Sequence, residues 1–460
     1  MLLGTRVALS AAPLLRHGPP GMMAPELLDA APHSALLLLA EGGFSSTADD
    51  LAGSLFGASL FPWLAMLYWL KHPTVKAPTG VSFGLTFLLA FVFGSIPGAI
   101  GAGVLYGVSL ADADWLHGAA ESLLAITNCV VVLGFREALS GASGGSKGEA
   151  AGPSTAGLRV AATSLGALAA LSAVAVLVSG DAAVHTPWLG GVGNLPQGLW
   201  SSEPANALSI PTWIIHTSSL VEWLVAMGLA WRYAELVDKP EWKGITWGML
   251  PLHTSGIVAC TYHLFYNVPA ISWAVALQAG MTCIGNTTLA YACLRLALAS
   301  GWTWQTGRED AAKLLSSVAS NLGVDIAKMV GGDAAPTNEE VPSDTVVAAS
   351  LSDTPMASQP GPDASAAASA LIGWEDLGDT WASDGNVAFL GKLAALSGGL
   401  AYLVKYAPAL VPNSVSSAWA ELPDEAISAA ALAVIVVPTG LNVAKWAQRS
   451  REDAEFVGDF

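Results

Sequence analysis

Charged side chains are scarce: Asp, Glu, Lys and Arg make up 12% of the 460 residues, about half their share in an ordinary soluble protein. Water is therefore not the main solvent of this chain. Basic residues are the rarer sign, 19 Lys and Arg against 36 Asp and Glu, giving a formal net charge of −17. Much of that acidic excess lies around residues 301–385 and near the termini, and it argues against a nucleic-acid partner. Cysteine is also sparse. Cys129, Cys260, Cys283 and Cys293 all fall inside apolar runs with no CxxC spacing, which excludes a secreted disulfide framework and reads as reduced packing residues. The first 25 residues lack Asp and Glu but hold Arg6 and Arg16 among Ala, Leu and Pro, the composition of an organellar transit peptide. No phosphate loop, catalytic triad or hydrolase elbow is present in a suitable context.

What the chain has is apolar length: 53% hydrophobic residues and 17 tryptophans. Spanning hydrocarbon takes about 20 mostly apolar residues, because only a helix pairs its own backbone groups there. Nine candidates follow: Leu51 to Leu70, Gly80 to Leu110, Leu116 to Phe135, Val160 to Gly180, Pro211 to Ala230, Gly244 to Asn267, Ala270 to Leu294, Leu393 to Leu410 and Ile427 to Val443. The expected class is an all-α polytopic membrane protein with about nine transmembrane helices. The second candidate is long for one crossing, and Pro97 inside it predicts a kink or a tilt.

Loop charge tests the count. With nine spans, all 19 Lys and Arg except Arg6, Arg16 and Lys405 fall on one side, the excess expected of a cytoplasm-like face. Arg6 and Arg16 would leave with a transit peptide, and Lys405 sits late in its span, where it is expected to snorkel outward. The C terminus then lies on the positive side. Between spans seven and eight, Leu314, Val318, Leu322 and Ile326 recur every four residues, as in a helix lying on a membrane surface or on another protein. The Ala, Ser, Asp and Pro of residues 341–370 predict a flexible linker.

The two halves echo each other. GVSFG at Gly80 to Gly84 matches GITWG at Gly244 to Gly248; Trp63-Leu64 matches Trp223-Leu224; Trp115 and Trp273 each stand thirteen residues before Asn128 and Asn286. Two parallel three-helix units are expected, with span four restoring orientation and a helical hairpin at the C terminus. The corresponding segments are 1–50 (transit peptide and N-terminal segment), 51–140 (first unit), 141–204 (linker with span four), 205–300 (second unit), 301–385 (amphipathic helix and linker) and 386–460 (C-terminal domain).

The runs WIIHTSSLVEWLVAMGLAWRYAEL, WKGITWGMLPLHTSGIVACTYHLFYN and LQAGMTCIGNTTLAYACLRLA, within Pro211 to Ala297, resemble the hypothetical chloroplast reading frame forty-nine family of cyanobacteria and plastids. The first unit, with YGVSLADADWLHGAAESLLAITNCVVVLGFREAL, resembles a companion plastid membrane domain of unknown function. The resemblance implies a plastid membrane, the thylakoid or else the inner envelope, with the positive side in the stroma. It implies no chemistry.

Ionisable residues inside spans are costly and tend to mark function. His117 and Glu121 lie one helical turn apart on span three, so one face offers an imidazole and a carboxylate that can orient it. His216 begins span five and His263 ends span six, so topology gathers both with His117 at the end opposite the positive loops; His253 lies deeper. Glu222, six residues past His216, is about 600° of rotation further on and off its face. These six are the candidate cofactor-binding residues, a tetrapyrrole such as chlorophyll or haem being the class that one imidazole and an apolar, tryptophan-rich slot suit. No all-protein metal site is expected, because the spans hold too few carboxylates for a di-metal centre. Asn128, Asn286 and Gln278 are expected to bridge helices, with Thr282 extending Gln278. Arg136 and Arg295 are expected to snorkel or to meet C-terminal helix carbonyls, and Trp213, Trp223, Trp242 and Trp247 to include interfacial anchors. Three functions follow: support of photosynthetic complex assembly or pigment binding, a membrane enzyme acting on a carotenoid, quinone or lipid, and a small-solute carrier. The bilayer and photosynthetic membrane complexes are the expected partners.

Overall fold

The computed structural model describes residues 48–142, 155–179, 207–321, 373–406 and 422–453. Among these, all regular structure is helical. The transit-type segment up to residue 47 and the linker expected over 341–370 lie outside the described residues, as do Leu322 and Ile326. Contacts separate a unit made of residues 1–300 with 373–460 from a second made of residues 301–372.

In the larger unit the helices are α1 (Ala48–Lys71), α2 (Thr79–Gly101), α3 (Asp114–Ala142), α4 (Thr155–Ser179), α5 (Ile210–Leu236), α6 (Lys243–Leu264) and α7 (Trp273–Ala299). The smaller unit contributes α8 (Trp304–Asn321), and the larger one resumes with the short α9 (Leu377–Thr380), then α10 (Asn386–Tyr406) and α11 (Asp424–Glu452). Helix ends follow local chemistry. Pro211 occupies the first turn of α5, where its missing N–H has no intrahelical use. Asp424 and Glu425 open α11 and Arg449 and Arg451 close it, both matched to the helix dipole. In α8, Thr303 Oγ1 accepts the Thr306 N–H at 3.2 Å, an N-cap bond. Leu314 and Val318 of α8 are exposed within their unit.

Among the described residues, six helices are long and apolar enough to cross a membrane: α1, α2 with the turn that prolongs it, α3, α5, α10 and α11. Large apolar side chains on their outer surfaces, including Phe61, Phe93, Tyr402 and Leu441, are exposed, a surface that water would penalise and hydrocarbon does not. The chain is thus a helical membrane protein. Helices α6 and α7 are less apolar because they carry buried His253, Thr254, Ser255, Thr261 and His263, and Gln278, Thr282 and Asn286. The long second candidate resolves into α2, helical through Pro97, and a π-helical turn over Ala102–Tyr106 that ends on left-handed Gly107.

Packing runs α1 on α7, α7 on α6, α6 on α5, α5 on α3 and α3 on α2. These six helices surround a void of only about 10 Å³, lined by Leu70, Leu85, Phe135, Trp223, Met249 and Cys293 among others. Helix α4 lies on α2 and α3, α10 on α5, and α11 on α6. Both ends are pinned. At one, Lys243 pairs with Asp453 at 2.5 Å, Arg449 with Asp376 at 3.0 Å and Lys445 with Glu375. At the other, Ser428 Oγ donates to the Ala270 carbonyl at 2.7 Å, and buried Lys405 donates to the Leu208 carbonyl at 2.5 Å. Lys405 therefore does not snorkel: the carbonyl before α5 holds it inside.

Helices α2 and α3 touch backbone to backbone. A Cβ on Gly134 would lie 2.5 Å from the Val81 nitrogen, and one on Gly80 would lie 2.7 Å from the Gly134 Cα. Gly134→Ala should therefore destabilise the detergent-solubilised protein by about 1–3 kcal/mol, as overpacking does. Gly391→Ala in α10, which faces open space, should be neutral or stabilising by up to about 1 kcal/mol of helix propensity. Thermal unfolding followed by circular dichroism compares the two.

Candidate functional site

Three helix ends meet opposite the Lys-rich and Arg-rich end. His117 in the first turn of α3, His216 in the second turn of α5 and His263 in the last turn of α6 are 1%, 4% and 2% exposed. Their rings face one another, with centroids 4.9 Å apart for His117 and His216, 4.8 Å for His117 and His263, and 5.0 Å for His216 and His263. His117 Nε2 and His216 Nε2 are 2.8 Å apart. One donor nitrogen from each of the three lies within 4.8 Å of the others. His117 Nδ1 meets no hydrogen-bond partner, and the Asn267 side chain lies beside the His263 ring.

The sequence around each histidine explains the convergence. Asp114 opens α3 and its Oδ1 accepts the Ser209 N–H at 2.9 Å, fixing the start of α5 beside that of α3. Gly118 follows His117 where a Cβ would come 2.7 Å from Thr212 Oγ1, so its missing side chain lets the two helices close. Asn267, in a left-handed turn with φ 56°, donates from Nδ2 to Asp112 Oδ1 at 2.8 Å and so ties the end of α6 to the turn before α3. The wall is apolar: Leu110, Ala113, Trp115, Leu116 and Ala120 form one buried cluster, with Tyr106 and Tyr262 against it. Buried Glu121 sits one turn beyond His117.

The other candidate residues do not join this cluster. His253 lies ten residues before His263 on α6, about 15 Å along the helix, with Nδ1 3.3 Å from Asn442 Nδ2 of α11. Glu222 points across to α3, where Oε1 accepts the Cys129 thiol at 3.1 Å. Asn128 Nδ2 donates to the Ser219 carbonyl at 3.3 Å, and Asn286 Nδ2 to the Ser59 carbonyl at 2.9 Å. At Gln278 the backbone carbonyl accepts, from Ser255 Oγ at 3.1 Å and Thr282 Oγ1 at 2.9 Å.

Some sequence expectations need correction. Trp213, Trp223 and Trp242 are buried rather than anchored at an interface. Trp223 Nε1 donates to the Met249 carbonyl at 3.0 Å, and Trp242 meets Tyr233 edge-on at 5.0 Å. Trp247 Nε1 donates to Ser450 Oγ at 3.1 Å. Arg136 is buried and turns inward, donating to the carbonyls of Trp381 at 3.2 Å and Asp384 at 2.7 Å while lying 4.0 Å over the Phe389 ring. Sequence reasoning missed Asp114 and Asn267 as positioning residues. Their only signal was a polar residue at each helix boundary next to a candidate histidine.

Two family models match the chain, both described as proteins of unknown function: DUF3593 over residues 52–140 and DUF2499 over residues 207–295. The Ycf49-like protein of Synechocystis sp. is 43% identical over 107 residues, which is 23% of this chain and 96% of that relative. The uncharacterized protein ycf49 of Cyanophora paradoxa is 32% identical over 89 residues, 19% of this chain and 87% of that relative. No solved structure matches.

Without a ligand, the three imidazoles are unequal in what they contribute to stability. His216→Leu leaves His117 Nε2 buried without its partner and should cost about 1–3 kcal/mol. His263→Leu breaks no contact as close as that between His117 and His216 and should cost less, about 1 kcal/mol or under. Unfolding of the ligand-free protein in detergent compares them.

Proposed function

Because the chain belongs to the Ycf49-like family, we propose that it is a plastid membrane protein of the thylakoid that holds a cofactor between His117, His216 and His263. In this reading it supports assembly of photosynthetic complexes, with its C terminus in the stroma. Relatives from photosynthetic lineages and the apolar helices support the compartment. The observation that carries the site is the meeting of three buried imidazoles from three helices, with His117 Nδ1 left unsatisfied. Retaining such groups in an apolar bundle costs stability that packing alone does not require. Dispersal of His253 and Glu222 away from the cluster favours a single binding site over a broad acid and base surface.

The same reading takes α6 and α7, 22 and 27 residues long, and α4 as crossings, giving nine. It divides the membrane part into two parallel three-helix units, 51–140 and 205–300, and a C-terminal hairpin. Matched geometry supports this. Asn128 and Asn286 each bond a serine carbonyl of the other unit's first helix, Ser219 and Ser59, four residues before Trp223 and Trp63. Gly84 lies against Val131 as Gly248 lies against Leu289, residues placed alike relative to those asparagines.

The test is purification of the full chain from photosynthetic membranes in mild detergent, with absorption spectroscopy, elemental analysis and mass spectrometry of bound lipids, pigments and proteins. A stoichiometric ligand is expected, lost in His117→Ala and His263→Ala while helicity is retained. A stable preparation with no pigment, haem or metal would overturn the reading.

A further inference from the structure

A ligand at this site must fit what the three rings leave open. A tetrapyrrole takes one imidazole on its axial face and needs a flat apolar slot across the macrocycle. Here each imidazole has the other two at ring-centroid distances of 4.8–5.0 Å, so no plane of that breadth passes between them. A point ligand is different. An ion bonded to nitrogen at about 2.0–2.1 Å in a tetrahedral array sets its donors about 3.3 Å apart. The His117 and His216 nitrogens, 2.8 Å apart, lie just inside that spacing. The widest separation, within 4.8 Å, lies outside it, so an ion would have to draw the donors closer.

We propose that His117, His216 and His263 bind one late first-row transition-metal ion, of the zinc or copper class, through three imidazole nitrogens. The identification deepens the cofactor reading above and rests on it. The donor set selects the metal class: imidazole suits zinc, copper, nickel and iron, whereas calcium and magnesium demand oxygen ligands. Three histidines leave a fourth position for water or a small ligand, the arrangement of open zinc sites. His263, buried beside Asn267, still offers a ring nitrogen within 4.8 Å of those of His117 and His216, which an ion would engage. Glu121, buried one turn from His117, and Asp114, in the first turn of the same helix, place two carboxyl groups beside the cluster. Asp114 and Asn267 hold the helix ends that carry the three donors.

The full chain, carrying a tag without histidine and purified in detergent, is stripped with chelator and titrated with Zn²⁺, Cu²⁺ and, as a spectroscopic probe, Co²⁺. One equivalent per chain is expected, with the visible bands of four-coordinate Co²⁺. His263→Leu, which the structure lets fold, should abolish that equivalent, as should His117→Gln, whereas His253→Ala on the same helix should keep it. Wild type that binds no ion but carries haem or chlorophyll lost in His263→Leu would overturn the metal and leave the cofactor reading standing. Wild type with neither ion nor organic ligand would overturn both. An equivalent retained in both His263→Leu and His117→Gln would overturn the assignment to these residues.

Discussion

Hydrocarbon offers no hydrogen bonds, so a polar side chain in this bundle must find its partner on its own or another helix or remain unsatisfied at a cost. That constraint shapes α6 and α7 above all, whose hydroxyl, amide and imidazole groups are turned inward. Thr246 Oγ1 donates to the Met227 carbonyl at 2.9 Å, Thr288 Oγ1 to the Gly248 carbonyl at 3.1 Å, and Asn286 Nδ2 to the Ser59 carbonyl at 2.9 Å. Most acceptors are backbone carbonyls, which every helix supplies at any depth, so helix pairs lock in register without matched side chains. Against that background the meeting of three imidazoles stands out.

Small residues do the complementary work. Gly80, Gly84 and Gly134 bring α2 and α3 to backbone contact, and Gly248 and Gly285 do the same for α6 and α7. Close approach strengthens dispersion and leaves little room inside, which is why a void ringed by six helices amounts to about 10 Å³. No bulky ligand fits that centre, whereas the histidines gather at the helix ends. There, turns and left-handed residues such as Asn267 relax the packing rule.

Much of this was legible in the sequence. Apolar runs placed the helices, and alternation of ends placed His117, His216 and His263 at one level, since a residue's depth follows from its distance to the helix terminus. Rotation about the helix axis was harder. Trp223 and Trp242 have the composition of interfacial anchors yet face the core, because indole N–H groups find carbonyl or aromatic partners there. Lys405 looks from sequence like a snorkelling residue, but the Leu208 carbonyl accepts its ammonium, whereas Arg136, expected to snorkel or to meet helix-end carbonyls, meets those of Trp381, which caps α9, and Asp384. The resemblance named a lineage and no chemistry, so the site had to come from geometry.

The histidine cluster takes one imidazole from the segment matched over 52–140 and two from the segment matched over 207–295. Neither segment by itself holds more than two of the three donors. Joining both in one polypeptide therefore fixes their stoichiometry at one to one and makes the site a property of a single gene product. A chain carrying one segment alone could build the same centre only by recruiting the other in the plane of the membrane, so fusion here converts an encounter between subunits into a matter of folding.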